Sequence, residues 1–212
     1  MSGERPTIAI LDYGMGNLRS VEKALDRVGA DPYVGADPAR VRESAGLVLP
    51  GVGAFPKAME RITSAGLDGL IDDRVEAGVP LLGLCLGMQL LFESSSEHGG
   101  AEGLGLLPGA VEALRADGLN LPHIRREQNR IERRSPIGQG IADGEPFYFV
   151  HSIVAWAREG DTIATSVHGE RFAAVVGSGR VFGTQFHPEK SSSAGLRLLG
   201  NFVAACAPAE VA

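Results

Sequence analysis

The chain has 212 residues, of which 44% are apolar and 22% charged, and its formal net charge is −6. That is enough chain for one large hydrophobic core, and the acidic balance counts against nucleic acid as the main partner. No apolar run reaches the ~20 residues of a membrane span, so no membrane association is expected.

The opening MSGERPTIAILDYG lacks the basic-then-apolar pattern of a secretory signal. Two cysteines, Cys85 and Cys206, make no disulfide framework. A cytoplasmic protein with reduced thiols is therefore expected. No cluster of histidine, cysteine and carboxylate has metal-ligand spacing, so neither a metal nor a cofactor is expected.

In chain order, TIAIL (7–11) reads as a short buried strand. Leu18, Val21, Leu25 and Val28 then recur at helical spacing, with Asn17 as N-cap and Gly29 as stop. GLVLPG (46–51) is a second buried strand, 55–77 a helical stretch broken near Gly66, VPLLGLC (79–85) a third strand and LGMQLLFE (86–93) a helix. Continuous apolar strands alternating with helices predict a mostly parallel sheet with helices on both faces. The second half differs: AVEAL, FYFVHSIVAW, TIATSV, FAAVV and RVFGTQF are short strands separated by turns, a mixed or antiparallel section. SAGLRLLGNFVAACA (193–207) closes the chain as an amphipathic helix. One α/β domain of three layers over residues 1–212 is the simplest architecture.

The chemistry-bearing feature is the corner between strand 79–85 and the helix after it. Gly83-Leu84-Cys85-Leu86-Gly87 has the spacing of a nucleophile elbow with sulfur in place of oxygen. Small residues on both sides permit the tight turn, the thiol projects at a helix N-terminus, and the Leu86 N–H points toward an oxyanion. A buried structural cysteine is the bland alternative, which Cys206 in NFVAACA fits well.

FGTQFHPEKS (182–191) supplies a base. In extended backbone residues i and i+2 share a face, and Pro188 favours extension, so Glu189 can orient His187 while the other ring nitrogen faces the thiol. Pro50-Gly51-Val52-Gly53 ends an earlier strand and offers a second oxyanion donor. Asp12-Tyr13-Gly14-Met15-Gly16-Asn17 lacks the third glycine of a dinucleotide fingerprint, since Arg19 stands there.

GLCLGMQ with FHPEKS resembles the class I glutamine amidotransferases. DYGMGNLRSV, PGVGAF, GLGLLPGAV and FYFVHS further resemble the glutaminase subunits of imidazole glycerol phosphate synthases, over roughly residues 7–203. The resemblance implies a three-layer fold and hydrolysis of glutamine through Cys85, His187 and Glu189. It implies an oxyanion hole from Gly51 or Val52 with Leu86, and substrate contacts from Gln89 and from the Ser152 and Ile153 backbone. It implies as partner a (β/α)₈-barrel cyclase that uses the ammonia to make imidazole glycerol phosphate and aminoimidazole carboxamide ribotide, with Lys190 near the interface or simply solvated.

One segment departs from the family. In place of Pro-His-apolar followed by Gly-Trp-Asn stands Leu121-Pro122-His123-Ile124-Arg125-Arg126-Glu127-Gln128-Asn129. The family tryptophan is missing, which leaves open a paralogue feeding a different barrel-type acceptor. The arginines here (Arg125, Arg126, Arg130, Arg133, Arg134) suit a solvated loop or a partner-facing surface better than RNA in an acidic chain. A general cysteine hydrolase and a non-catalytic binding subunit are the other rivals, the first separable by release of glutamate from glutamine.

Overall fold

A computed structural model describes residues 5–207. The strands are β1 (Thr7–Leu11), β2 (Asp31–Gly35), β3 (Gly46–Gly51), β4 (Leu81–Cys85), β5 (Phe92–Ser95), β6 (Ala101–Glu102), β7 (Leu107–Ala113), β8 (His123–Gln128), β9 (Arg130–Ile131), β10 (Pro146–His151), β11 (Ile153–Ala157), β12 (Thr162–His168), β13 (Glu170–Ser178) and β14 (Val181–Thr184). The helices are α1 (Leu18–Arg27), α2 (Pro38–Glu43), α3 (Phe55–Ser64), α4 (Leu67–Glu76), α5 (Leu86–Gln89) and α6 (Ser192–Cys206).

The main sheet has the order β2-β1-β3-β4-β14-β13-β12-β9. Its first five strands are parallel, and β13, β12 and β9 continue it antiparallel. Successive residues of β1 explain its unbroken apolarity: Ile8 and Ile10 enter one core with Val21 and Leu25 of α1 and Leu198 and Phe202 of α6. Ala9 and Leu11 enter the other, with Val41 of α2, Ile62 of α3 and Ile71 of α4. A strand covered on both faces has no polar side to show. Gly66, at φ 64°, separates α3 from α4 where the break was expected.

Four expectations need correction. The helix over 86–93 stops at Gln89, because the Leu90 and Leu91 carbonyls accept from the Leu104 and Leu107 N–H groups instead of continuing a helical ladder. The chain then enters a second sheet, β11-β7-β5-β6. FYFVHSIVAW is two strands broken at Ser152, with β10 pairing β8 and β11 pairing β7. The departing segment is not a loop: 123–128 forms β8, in full register with β10. The edge strand β2 was not foreseen.

Candidate active site

Register places the pieces. Gly51 of β3 lies beside Cys85 of β4, and Thr184 of β14 beside Leu84, so three strands end at one edge. Cys85 has φ 54° and ψ −110°, a strained conformation for a residue with a side chain, as an elbow demands. Its flanking glycines are steric necessities. A Cβ on Gly83 would lie 2.6 Å from the Gly87 carbonyl oxygen, and one on Gly87 would be driven into the Leu49 carbonyl. The helix that follows has only four residues. Its macrodipole is correspondingly small, so the expected help of a helix N-terminus is slight and the charge beside the thiol comes from His187 instead.

His187 lies three residues past the end of β14, and its backbone N–H donates to the Tyr148 carbonyl at 2.9 Å. Extension ends there: Pro188–Lys190 is a single 3₁₀ turn, not the extended segment expected. The turn still carries the carboxylate back, and His187 Nδ1 lies 2.9 Å from Glu189 Oε1 in a pair almost closed to solvent. Burial, the largest influence on the imidazole, favours its neutral form. Cys85 and Glu189 on either side outweigh that and raise its pKa to about 9. The balance favours the charged imidazole. Cys206 lies apart in the α6 core, where burial pushes its thiol up to about 12.

Cys85 and His187 open on a cavity of about 300 Å³ that is also lined by Val52, Gly53, Leu86, Gln89, Glu97, Val150, His151, Ser152, Ile153 and Lys190. Every sequence-nominated site residue thus reaches this cavity except Gly51 and Glu189, which line a small recess behind it with His187. Gly51 packs against Leu86, where an added Cβ would meet Leu86 Cβ at 3.0 Å. The preceding Pro50 carbonyl accepts from the buried Tyr13 hydroxyl at 2.7 Å, tying the DYGMGN loop to the PGVG turn.

Gln89 Nε2 donates to the Ile153 carbonyl (3.1 Å) and to Gln185 Oε1 (2.9 Å), and Gln185 Nε2 points at Cys85 Sγ from 3.9 Å. Gln89 therefore offers a ligand its oxygen, not its N–H groups. Two residues escaped the sequence reading. Gln185 is fully buried between Gln89 and the thiol. Glu97 accepts from the Phe55 N–H at 2.6 Å and is, among the described residues, the only carboxylate lining the cavity. A polar stretch such as ESSSEHGG carries no periodic signal for it.

A cysteine held at a strained corner, a carboxylate-oriented imidazolium and a small enclosed cleft are the parts of an acyl-transfer site. Comparison with known proteins names the class. The family model described as glutamine amidotransferase class-I matches residues 9–206, and the chain belongs to that family.

Within it, the chain falls among the HisH subunits of imidazole glycerol phosphate synthase. It is 50% identical over 196 residues to the "Imidazole glycerol phosphate synthase subunit HisH" of Moorella thermoacetica, covering 92% of this chain and 93% of that one. It is 47% identical over 195 residues to the protein of the same name from Bacillus cereus, with 92% and 93% covered. Among solved structures, PurLQS from Thermotoga maritima matches with a TM-score of 0.73 at 21% identity, over 95% of this chain and 99% of that one, a likeness of fold.

Proposed function

We propose that the chain hydrolyses glutamine to glutamate and ammonia through Cys85, His187 and Glu189, and passes the ammonia to a (β/α)₈-barrel cyclase subunit in histidine biosynthesis. The observation that carries the chemistry is the strained Cys85 corner facing an imidazolium that Glu189 holds at 2.9 Å. The thiolate attacks the side-chain amide carbon. The oxyanion that forms meets the Leu86 N–H and an N–H of the Gly51–Val52 turn. His187 gives its proton to the departing nitrogen, ammonia leaves, and a thioester remains. The neutral imidazole then takes a proton from water as it attacks the thioester. Glutamate is released and the thiolate returns, so one water is consumed per ammonia formed.

The amino-acid end of glutamine carries both charges. Glu97 is the acceptor for its ammonium, and the Ser152 and Ile153 backbone, with the oxygen of Gln89, holds the rest. Lys190 sits at the same cleft with Nζ 6.0 Å from the Tyr148 ring centroid. A cleft of about 300 Å³ suits one free amino acid, which argues against a peptide substrate.

The partner reading rests on the names of the relatives. β8 presents Arg125, its side chain 59% exposed and 3.2 Å from Glu127, as a charged surface for that partner. The test uses Cys85→Ala in the assembled synthase. Glutamine-dependent product formation should vanish while formation from added ammonia survives. Loss of both would place the defect in assembly, and retention of the first would remove Cys85 from the mechanism.

A further inference from the structure

Three buried histidines cluster at the cleft, His151 in its wall and His123 and His168 behind it, and the mechanism above uses none of them. His151 Nδ1 is 3.1 Å from the Ile153 carbonyl, and His151 Nε2 is 3.1 Å from His123 Nδ1. His123 is fully buried, stacked on His168 at 4.1 Å between ring centroids, and His168 Nε2 lies 3.1 Å from the Asn120 carbonyl.

These contacts fix every proton in the chain. A carbonyl only accepts, so His151 carries its proton on Nδ1. Its Nε2 must then accept, so His123 also carries its proton on Nδ1. His123 Nε2 is left bare and buried, with no partner among the described residues. Burial holds both rings neutral, pulling His123 down to about 4 and His151 to about 3, with His168 adding to the first and His123 to the second.

A buried acceptor with nothing to accept costs stability. A phenylalanine would fill the same slot against Phe149 and Phe172 without that cost. What the imidazole adds is a single directed N–H, passed through His151 to Ile153. The Ile153 carbonyl also accepts from Gln89, so it is held from two sides at the edge of the cleft.

We propose that His123 and His151 are positioning residues: an ordered pair of neutral imidazoles that fixes the Ile153 carbonyl, and through it the orientation of the backbone whose preceding Ser152–Ile153 peptide binds the amino-acid end of glutamine. The inference rests on the glutamine reading of the cleft. It concerns substrate affinity and not the chemical step, because neither ring touches the thiol or its base by hydrogen bond. Loosening the peptide weakens ground and transition states alike, which raises KM and leaves kcat.

The experiment uses the full chain and a glutamine-analogue diazoketone that alkylates Cys85. The concentration dependence of inactivation separates affinity (KI) from the limiting rate. Iodoacetamide, which has no amino-acid end, reports thiol reactivity alone. His123→Asn keeps a donor where Nδ1 stands, whereas His123→Gln moves its amide one bond outward. The Gln variant should raise KI about tenfold, the loss of one buried hydrogen bond that leaves its acceptor unpaired. Its limiting rate and its iodoacetamide rate should stay unchanged, and the Asn variant should recover most of the affinity.

Equal KI in the Gln variant and the native chain, or equal defects in Asn and Gln, would overturn the proposal. So would histidine ¹⁵N shifts showing His123 protonated on Nε2, a readout independent of any ligand. If the native chain itself shows no saturable labelling by the diazoketone, the glutamine reading fails, and the ¹⁵N pattern still judges the hydrogen-bonded chain.

Discussion

Replacing Glu189 by glutamine separates the orienting carboxylate from everything else in the site. Glutamine is nearly isosteric and keeps an oxygen for His187 Nδ1, now 2.9 Å from Glu189 Oε1. It removes the charge and puts an NH₂ where Oε2 stands, a buried atom with no partner among the described residues. A hydrogen bond to a charged group contributes about 1.5–3 kcal/mol, so glutamine hydrolysis should fall between about tenfold and about 150-fold.

The imidazole should titrate lower as well, because Glu189 is one of the two groups that raise it to about 9. A histidine with a raised folded-state pKa adds stability that is full below its unfolded value of about 6.5. That contribution is lost as pH rises through the folded value near 9. The Glu189→Gln variant should therefore differ most from the native chain below about pH 6.5 and converge with it above about pH 9. Glutamate release gives the rate, and NMR of the His187 ring gives the titration. A variant within threefold of native activity, with His187 titrating unchanged, would refute the carboxylate's orienting role.

Further outcomes follow from the same geometry. A glutamine-analogue electrophile should label Cys85 and spare Cys206, whose thiol burial holds at about 12, as peptide mapping would read. Gly83→Ala should destabilise the fold by about 1–3 kcal/mol, since its Cβ meets backbone that cannot yield, visible as a drop in Tm of roughly 2–12 °C. The isolated chain should hydrolyse glutamine slowly and accelerate by orders of magnitude with the cyclase and its nucleotide ligand, if the Gly51–Val52 turn completes the oxyanion hole only in the complex. A steady-state assay with and without partner checks this, and full activity alone would count against the switch. Arg125→Ala should weaken the cognate complex about two- to fivefold and flatten its salt dependence, the measure of an exposed charge at an interface.

How much of this was legible in the sequence depends on whether a residue's role is local or relational. β1, β3 and β4 declared themselves because burial on both faces leaves no polar position, and Gly66 marked the α3–α4 break because a left-handed residue favours glycine. Cys85 was legible for the same kind of reason in part: Gly83 is required by contacts within five residues of chain, whereas Gly87 is required by the Leu49 carbonyl of the neighbouring strand β3.

β2 and β8 were not legible. DPYVG opens on Asp-Pro and lies half-exposed at the sheet edge. HIRREQ is polar except for Ile124, itself 56% exposed, and becomes a strand only because β10 offers it a ladder. The sequence departure at 125–128 therefore changes what β8 displays without preventing its pairing.

Arg126 makes the relational point most directly. Its guanidinium donates to Ser192 Oγ at 3.0 Å and toward the Lys190 carbonyl at 3.4 Å, the far end of the turn that carries His187 and Glu189. Nothing in the run of arginines distinguishes that side chain from its solvated neighbours. Only the β8–β10 register, which sets Arg126 opposite Tyr148, brings it to the turn. Glu97 and Gln185 belong to the same class: each owes its place to a partner distant in sequence, Phe55 for one and Gln89 for the other. The proposed nucleophile and base can be read from chemistry and spacing, whereas the groups proposed to hold substrate and tune the turn are defined by contacts that exist only once the sheets have formed.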